Sequence, residues 1–154
     1  NHSAKVTAFH TATHLMLAAL RKELGEDVHQ AGSNITEERT RFDFTHGEKV
    51  PREVLDRIEA YVNTAIENGA HVSTTVMEKN EAREQGVEGS FWEKHTEKVT
   101  VYQVIGANGE IYSQELCGGP HVAHTDEIKA FGRFRITKEE ASSAGVRRVK
   151  GIFE

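Results

Sequence analysis

Two groups of side chains that can bind metals, about a hundred residues apart, constrain the fold of this chain more than any other sequence feature. His10 and His14 are four residues apart, so a helix would place both imidazoles on one face. Cys117 and His121 have the same spacing, but two glycines and a proline between them exclude a regular helix. If the groups meet, the fold must bring a helix against a distant loop.

The combined donor set suits one metal ion in particular. Three imidazoles and a thiolate are ligands that zinc prefers in tetrahedral sites. The histidine pair alone is weak evidence, because the chain holds 9 histidines and such a spacing arises easily by chance. The only cysteine, however, lies in a Gly-Gly-Pro turn rather than in an apolar segment, where an inert cysteine is more usual. The sequence therefore predicts a zinc site made of His10, His14, Cys117 and His121.

The secondary-structure pattern mixes helices with hairpin-connected strands. Apolar residues at helical spacing predict a helix from Ser3 to about Leu24 and a second from Pro51 to Gly69. We expect a shorter helix over residues 80–85 and a hairpin around the turn 106–109. This pattern favours an α+β fold: a two-layer sandwich with a mostly antiparallel sheet and two long helices packed on it. The predicted strands cover 28–35, 40–44, 71–77, 99–105, 111–116, 132–137 and 146–153, and a connection over 139–145 joins the last two.

Composition limits the class of protein. The content of 37% hydrophobic and 28% charged residues is ordinary for one soluble globular domain, which we expect to span residues 1–154. No apolar run approaches the length of a transmembrane helix, and no signal-peptide pattern is present, so no membrane partner is expected. A single cysteine fits the reducing cytoplasm. The net charge of -5 argues against indiscriminate nucleic-acid binding but permits a local basic patch.

Four segments, taken together, resemble a known family. They read HTATHL, VHQAGSNI with RFDF, ELCGGPHV and SSAGVRRV, in order from about His10 to Val149. This combination resembles the editing domain of alanyl-tRNA synthetases and the related free-standing alanyl-tRNA editing proteins. The second additional domain of threonyl-tRNA synthetase is similar but more distant. The chain departs from the family at Pro120, where CGGTH is expected, and at residues 126–132, which look longer than the usual TGDIG turn.

The resemblance implies an enzyme, an aminoacyl-tRNA deacylase. It implies zinc-dependent hydrolysis of the ester bond of mischarged tRNA(Ala), chiefly seryl-tRNA(Ala) and also glycyl-tRNA(Ala). The partner would be the acceptor end of tRNA(Ala) carrying a wrong amino acid. Because four protein ligands close a tetrahedral site, either His121 or His10 must be loosely held or the ion must become five-coordinate. Both possibilities remain open from the sequence.

Two residues are candidates for catalysis through recognition of the seryl hydroxyl. Serine exceeds alanine by one hydroxyl, so size exclusion cannot reject the wrong amino acid and the pocket must bind the hydroxyl itself. Thr13, beside His14, and Gln30, in the segment that matches the family, could make this hydrogen bond. In the alternative interpretation, Thr13 bonds back to a helix carbonyl and Gln30 is an exposed strand residue.

The candidate tRNA contacts are cations near the C-terminal strands. Arg147 and Arg148 match the family's GVRR motif, and neighbours on a strand point to opposite faces, so at most one reaches the pocket. We favour Arg147, with Arg148 and Arg133 as further tRNA-binding candidates; plain surface arginines are the alternative. Phe91-Trp92 could stack on the terminal adenine or close the core. Asp43 and Glu115 lack the paired setting expected of an acid–base couple.

Other functions fit parts of the same pattern. The domain could bind RNA with a purely structural zinc, or it could edit seryl-tRNA(Thr). The chain could be a free-standing protein or the editing part of an alanine–tRNA ligase.

Overall fold

The computed structural model describes residues 3–85, 87, 98–116 and 120–154. The described residues form an α+β fold with antiparallel strand pairing, as the sequence predicted. The elements in chain order are α1 Ala4–Leu24, β1 Gln30–Ile35, β2 Thr40–Thr45, α2 Arg52–Asn68, β3 Ala70–Glu78, α3 Lys79–Glu84, β4 Lys98–Gly106, β5 Ile111–Leu116, a 3₁₀ helix Thr125–Phe131, β6 Phe134–Ser143 and β7 Val146–Phe153.

The strands divide into two sheets rather than the one sheet expected. The larger sheet has the order β1-β2-β7-β6, and the smaller has the order β3-β4-β5. The pairing of β2 with β7 joins segments about a hundred residues apart, for example Phe42 with Val149. Local alternation of polar and apolar residues indicates a strand but carries no information on its distant partner, so the sequence could not show this division.

The main core lies between the helices and the four-stranded sheet. Ser3 caps α1, where the amide of Val6 donates to its hydroxyl at 3.2 Å. Buried residues from α1, α2 and the sheet pack into a single hydrophobic cluster. Burial of such side chains is the dominant favourable contribution to folding. The central members are Leu15, Met16, Leu20, Leu55, Ile58, Val62, Phe42, Phe44, Phe134 and Val149.

Two segments differ from the expected boundaries. Strand β6 continues to Ser143, through residues expected to form a connection, because Glu140 pairs with Arg148 and Ser143 with Val146 across a tight turn. Gly145 has a φ of 73°, which suits that turn. Residues 126–132 belong to the 3₁₀ helix and its C-cap. The helix starts with a capping box between His124 and Glu127.

In the described part of the chain, no helix is long and apolar enough to cross a membrane.

Candidate metal centre

Helix α1 places the first two candidate ligands side by side. His10 and His14 lie one turn apart and are both half-buried. Their Nε2 atoms are 3.1 Å apart, and their ring centroids are 4.7 Å apart. The helical spacing predicted from the sequence therefore directs both rings toward one point.

The loop after β5 brings the third imidazole to the same point. His121 stacks on His10 with centroids 4.2 Å apart and lies 4.8 Å from the ring of His14. One ring nitrogen from each histidine lies within 4.8 Å of the others, so the three could serve as ligands of one metal ion. Tyr102 of β4 packs against His121, 4.6 Å between centroids. The two sequence clusters thus meet through these histidines, whereas Cys117 lies outside the described residues.

The second nitrogen of each imidazole has its own partner. His10 Nδ1 lies 2.7 Å from the carbonyl oxygen of Pro120, and His14 Nδ1 lies 2.6 Å from Glu115 Oε2. A carbonyl oxygen accepts but cannot donate, and a carboxylate behaves likewise, so both Nδ1 atoms carry the hydrogen. His121 Nδ1 lies 3.0 Å from the hydroxyl of Thr11.

The hydroxyl of Thr11 contacts three groups next to the histidine cluster. The residue is fully buried, and its hydroxyl accepts the amide hydrogen of Val122 at 3.1 Å. The hydroxyl can donate to the carbonyl of Thr7, 3.4 Å away, which leaves it able to accept from His121 Nδ1. Thr11 thereby ties the loop that carries His121 to helix α1.

These partners make the three histidines fit a metal ion. With both Nδ1 atoms protonated, the Nε2 atoms of His10 and His14 face each other at 3.1 Å, an arrangement that suits a shared proton or a shared metal ion between them. Tetrahedral zinc with bonds of about 2.0–2.1 Å would separate two nitrogens by roughly 3.3 Å. Imidazoles whose other nitrogen donates to a carboxylate or a carbonyl are the usual form of zinc-binding histidine.

Glu115 is the residue that sequence reasoning missed. The sequence offers Glu115 no carboxylate partner for acid–base chemistry, yet the residue is 5% exposed and its Oε2 lies 2.6 Å from His14 Nδ1. The available signal was the alternation along β5: Glu115 precedes Cys117 by two positions, and alternate residues of a strand share a face. Ser113, on the same face, donates to Glu115 Oε2 at 3.1 Å.

An open groove lies next to this centre. It has a volume of about 370 Å³ and runs between α1 and β5, with Leu17, Arg21 and Ile111 among its lining residues. Ser113 and Glu115 line both this groove and a small cavity beside His14 and His121. The carboxylate that holds His14 therefore separates the histidines from a space open to solvent.

The two candidate recognition residues have other contacts. The hydroxyl of Thr13 donates to the carbonyl of Phe9 at 2.7 Å and lies 2.8 Å from the hydroxyl of Thr40, in a position 5% exposed. The structure thus shows the helix-carbonyl bond of the alternative interpretation. Gln30 begins β1 half-exposed, and its amide donates to Ser33 at 3.3 Å. Neither residue has a described hydrogen bond to the three histidines.

Two of the candidate tRNA-binding arginines form bidentate ion pairs inside the four-stranded sheet. Arg147 donates to both oxygens of Glu139, at 2.7 and 2.8 Å. Arg148 donates to both oxygens of Asp43, at 2.8 and 3.1 Å. Arg133 is different, since its side chain is 66% exposed and its Nη1 lies 3.8 Å from Glu67. Phe91 and Trp92 lie outside the described residues.

The ion pairs set the charge state of the two carboxylates. The hydrogen bond from Arg148 lowers the pKa of Asp43 against the opposing effect of burial, and the charges of Arg148 and Arg41 act in the same direction. Burial by itself would raise the pKa of Glu139, but hydrogen bonds from Arg147 and the Val50 amide outweigh it, so the pKa of Glu139 is lowered. Both carboxylates therefore stay ionised in the folded protein at neutral pH.

Comparison with known proteins points to one family. Residues 99–150 match the family model described as the threonyl and alanyl tRNA synthetase second additional domain. The alanine–tRNA ligase of Borreliella burgdorferi is 45% identical over 152 residues, which cover 99% of this chain and 24% of that protein. The alanine–tRNA ligase of Treponema denticola is 46% identical over 154 residues, covering 100% of this chain and 24% of the ligase. That of Thermus thermophilus is 49% identical over 144 residues, 93% of this chain and 16% of the ligase. The chain thus spans 24% or less of the length of these relatives.

Proposed function

The chain belongs to the family of the threonyl and alanyl tRNA synthetase second additional domain, and from that premise we propose that it is a zinc-dependent aminoacyl-tRNA deacylase. Its substrates are mischarged forms of tRNA(Ala), chiefly seryl-tRNA(Ala) and also glycyl-tRNA(Ala). The observation that carries the proposal is the cluster of His10, His14 and His121, whose ligating nitrogens lie within 4.8 Å of one another in a chain of this family.

The protein residues of this centre have separate tasks. His10, His14 and His121 would hold the ion, with Cys117 as the proposed fourth ligand. When bound there, zinc supplies a Lewis acid that polarises a carbonyl and lowers the pKa of water to roughly 7. Glu115, Thr11 and the carbonyl of Pro120 orient the three imidazoles. The reaction consumes one water and breaks the ester between the amino acid and the tRNA.

Selectivity is proposed to come from residues around the centre. Gln30 is half-exposed, and binding an aminoacyl group through its side-chain amide would cost the weak 3.3 Å bond to Ser33. Thr13 is 5% exposed and its hydroxyl contacts Phe9 and Thr40, so its buried position leaves little room for a seryl hydroxyl. The structure therefore supports Gln30 better than Thr13 as the residue that distinguishes serine from alanine.

Contacts with the acceptor end of the tRNA are proposed for the arginines. Arg133 is the most accessible of the three candidates, because its side chain is 66% exposed and its pair with Glu67 is a single contact of 3.8 Å. Arg147 and Arg148 would have to share their donors between a carboxylate and a phosphate. Binding that depends on such cations should weaken as the salt concentration rises, because phosphate contacts release counterions.

A hydrolysis panel tests the proposal directly. We expect zinc-loaded protein to hydrolyse seryl-tRNA(Ala) and glycyl-tRNA(Ala) faster than correct alanyl-tRNA(Ala), and to lose activity when a chelator removes the ion. Seryl-tRNA(Thr) should be a poor substrate, and a preference for it would indicate editing of threonyl-tRNA synthetase errors instead. Absence of hydrolysis of every substrate by zinc-loaded protein would contradict the proposal.

A structural zinc in an RNA-binding domain is the second candidate, because His10, His14, His121 and Cys117 would together fill a tetrahedral site. X-ray absorption spectroscopy of the zinc-loaded protein separates the two. Four short protein–metal bonds with no exchangeable ligand favour the structural role, whereas a bond to a water or an anion favours hydrolysis.

A further inference from the structure

Glu115 is a buried carboxylate to which the sequence assigned no role. Its side chain is 7% exposed, and its Oε2 atom lies 2.6 Å from His14 Nδ1. The hydroxyl of Ser113 donates to the same oxygen at 3.1 Å. Burying a carboxylate costs free energy unless new hydrogen bonds replace those it made to water. Here the contacts with His14 and Ser113 replace them.

We propose that Glu115 is the positioning residue of the metal centre. Its carboxylate holds the hydrogen on His14 Nδ1 and so keeps the Nε2 lone pair of His14 directed at the point shared with His10 and His121. The inference rests on the proposed metal centre and adds to it the residue that determines which nitrogen of His14 binds the ion.

The partners of the other two histidines explain why this role falls to Glu115. The carbonyl of Pro120 fixes the tautomer of His10 but is uncharged. The hydroxyl of Thr11 both accepts and donates hydrogen bonds, so it does not by itself fix the tautomer of His121. Glu115 alone among these three partners is an acceptor that can carry a negative charge, which makes the bonded imidazole a stronger electron-pair donor to a cation.

The backbone and Ser113 hold Glu115 in place. Ser113 and Glu115 are alternate residues of β5 and are both buried against α1. The hydroxyl of Ser113 also lies 3.4 Å from the carbonyl oxygen of His14, on the same helix that carries the imidazole. The carboxylate is therefore fixed relative to the ring it orients.

The first test measures zinc affinity by competition with a chromogenic chelator. We expect Glu115→Ala to weaken zinc binding by about 10–100-fold, in the range found for such outer partners of metal ligands. Glu115→Gln should lose less, because the amide oxygen can still accept from Nδ1 but carries no charge. Glu110→Gln is the matched control, since it removes one charge from an exposed residue that directly precedes the same strand and should leave the affinity unchanged.

The second test detects the proton rather than the metal. In metal-free wild-type protein, nitrogen NMR should show the hydrogen of His14 on Nδ1. Glu115→Ala should convert His14 to a mixture of tautomers. A purely structural role for Glu115 predicts no change in the tautomer, and that result would overturn the inference even if zinc affinity fell.

The two proposals can fail separately. If wild-type protein does not bind zinc, the proposed deacylase fails, while the tautomer of His14 still decides whether Glu115 orients it. If wild-type protein binds zinc and both Glu115 variants bind it equally well, only the positioning role is wrong. Circular dichroism checks the fold of each variant, and should Glu115→Ala not fold, Glu115→Gln decides the outcome through its affinity relative to Glu110→Gln.

Discussion

The histidine cluster and the arginine pairs of the four-stranded sheet use hydrogen-bond partners in opposite ways. His10 and His14 each give one nitrogen to a partner and turn the other toward a common point. Arg147 and Arg148 each place two N–H groups on both oxygens of one carboxylate. The sequence predicted ligand contacts from both regions, but only the histidine region leaves its reactive atoms directed at a shared position.

The difference shows two roles for a hydrogen-bond partner: it can orient a side chain for binding, or it can join two strands and stabilise the sheet. A partner that contacts one end of a side chain fixes its direction and leaves the other end available. A bidentate partner satisfies the group on both sides and ties two strands together, in this case β7 to β6 and to β2. Mutations in the first region should therefore change metal binding, and mutations in the second should change stability.

The largest expected effect follows from removing a histidine. We expect His14→Ala to weaken zinc binding more than about 100-fold, since it deletes a ligand rather than an outer partner. His71→Ala is the control, because His71 is exposed on β3 and should leave zinc affinity unchanged. Equal zinc affinity in His14→Ala and wild type, measured by chelator competition, would remove His14 from the centre.

The second-largest expected effect is a loss of stability when the ion pair between Arg148 and Asp43 is removed. Arg148→Ala should lower the free energy of unfolding by about 2 kcal/mol, because it leaves Asp43 in a position 7% exposed without its bidentate partner. Zinc affinity should stay at the wild-type value. Arg135→Ala breaks an exposed pair with Glu154 and should cost less than about 1 kcal/mol. If urea denaturation gives an equal loss in the free energy of unfolding for the two variants, Arg148 does not stabilise the sheet in the way expected.

The same pairs predict how stability depends on pH. The pKa values of Asp43 and Glu139 are lowered in the folded protein, so their contribution is complete above the unfolded pKa values of about 3.9 and 4.3. That contribution is lost as the pH falls through the lower, folded values. The stability difference between wild type and Arg148→Ala should therefore shrink below about pH 4. A difference that stays constant down to pH 3 in urea denaturation would contradict this assignment.

The smallest expected effect is that of Thr13→Val, which removes a buried hydroxyl but keeps the shape. We expect a loss of about 1 kcal/mol in the free energy of unfolding, because the bonds to Phe9 and Thr40 disappear. The ratio of seryl to glycyl hydrolysis should not change. A selective loss of seryl hydrolysis would instead restore Thr13 as a recognition residue and place part of the site on the sheet side of α1.

Local patterns in the sequence predicted the helical ligand pair and most element boundaries. The spacing of His10 and His14 is a property of one helix, and α1 ends at Leu24 as expected. The apolar spacing also predicted α2 from its first turn to Gly69. Such features depend on residues within a few positions of each other, where periodicity is informative.

The remaining features depend on distant residues and could not be predicted in this way. Glu115 acquires its role only because β5 packs beside α1 and brings it to His14. The GVRR arginines look like exposed cations until the pairing of β7 with β2 and β6 supplies Asp43 and Glu139. A charged side chain in the sequence therefore indicates a binding role only when its tertiary partner is known.

The bond between His10 and Pro120 has a consequence for how the centre tolerates sequence change. The acceptor is a main-chain oxygen, 2.7 Å from Nδ1, and every amino acid supplies the same atom. Position 120 can therefore vary chemically without deleting this support, provided that the loop keeps its path. A saturation library at this position should retain far more functional members than one at position 115. Every substitution at position 120 keeps the main-chain carbonyl, whereas most substitutions at position 115 remove the side-chain carboxylate.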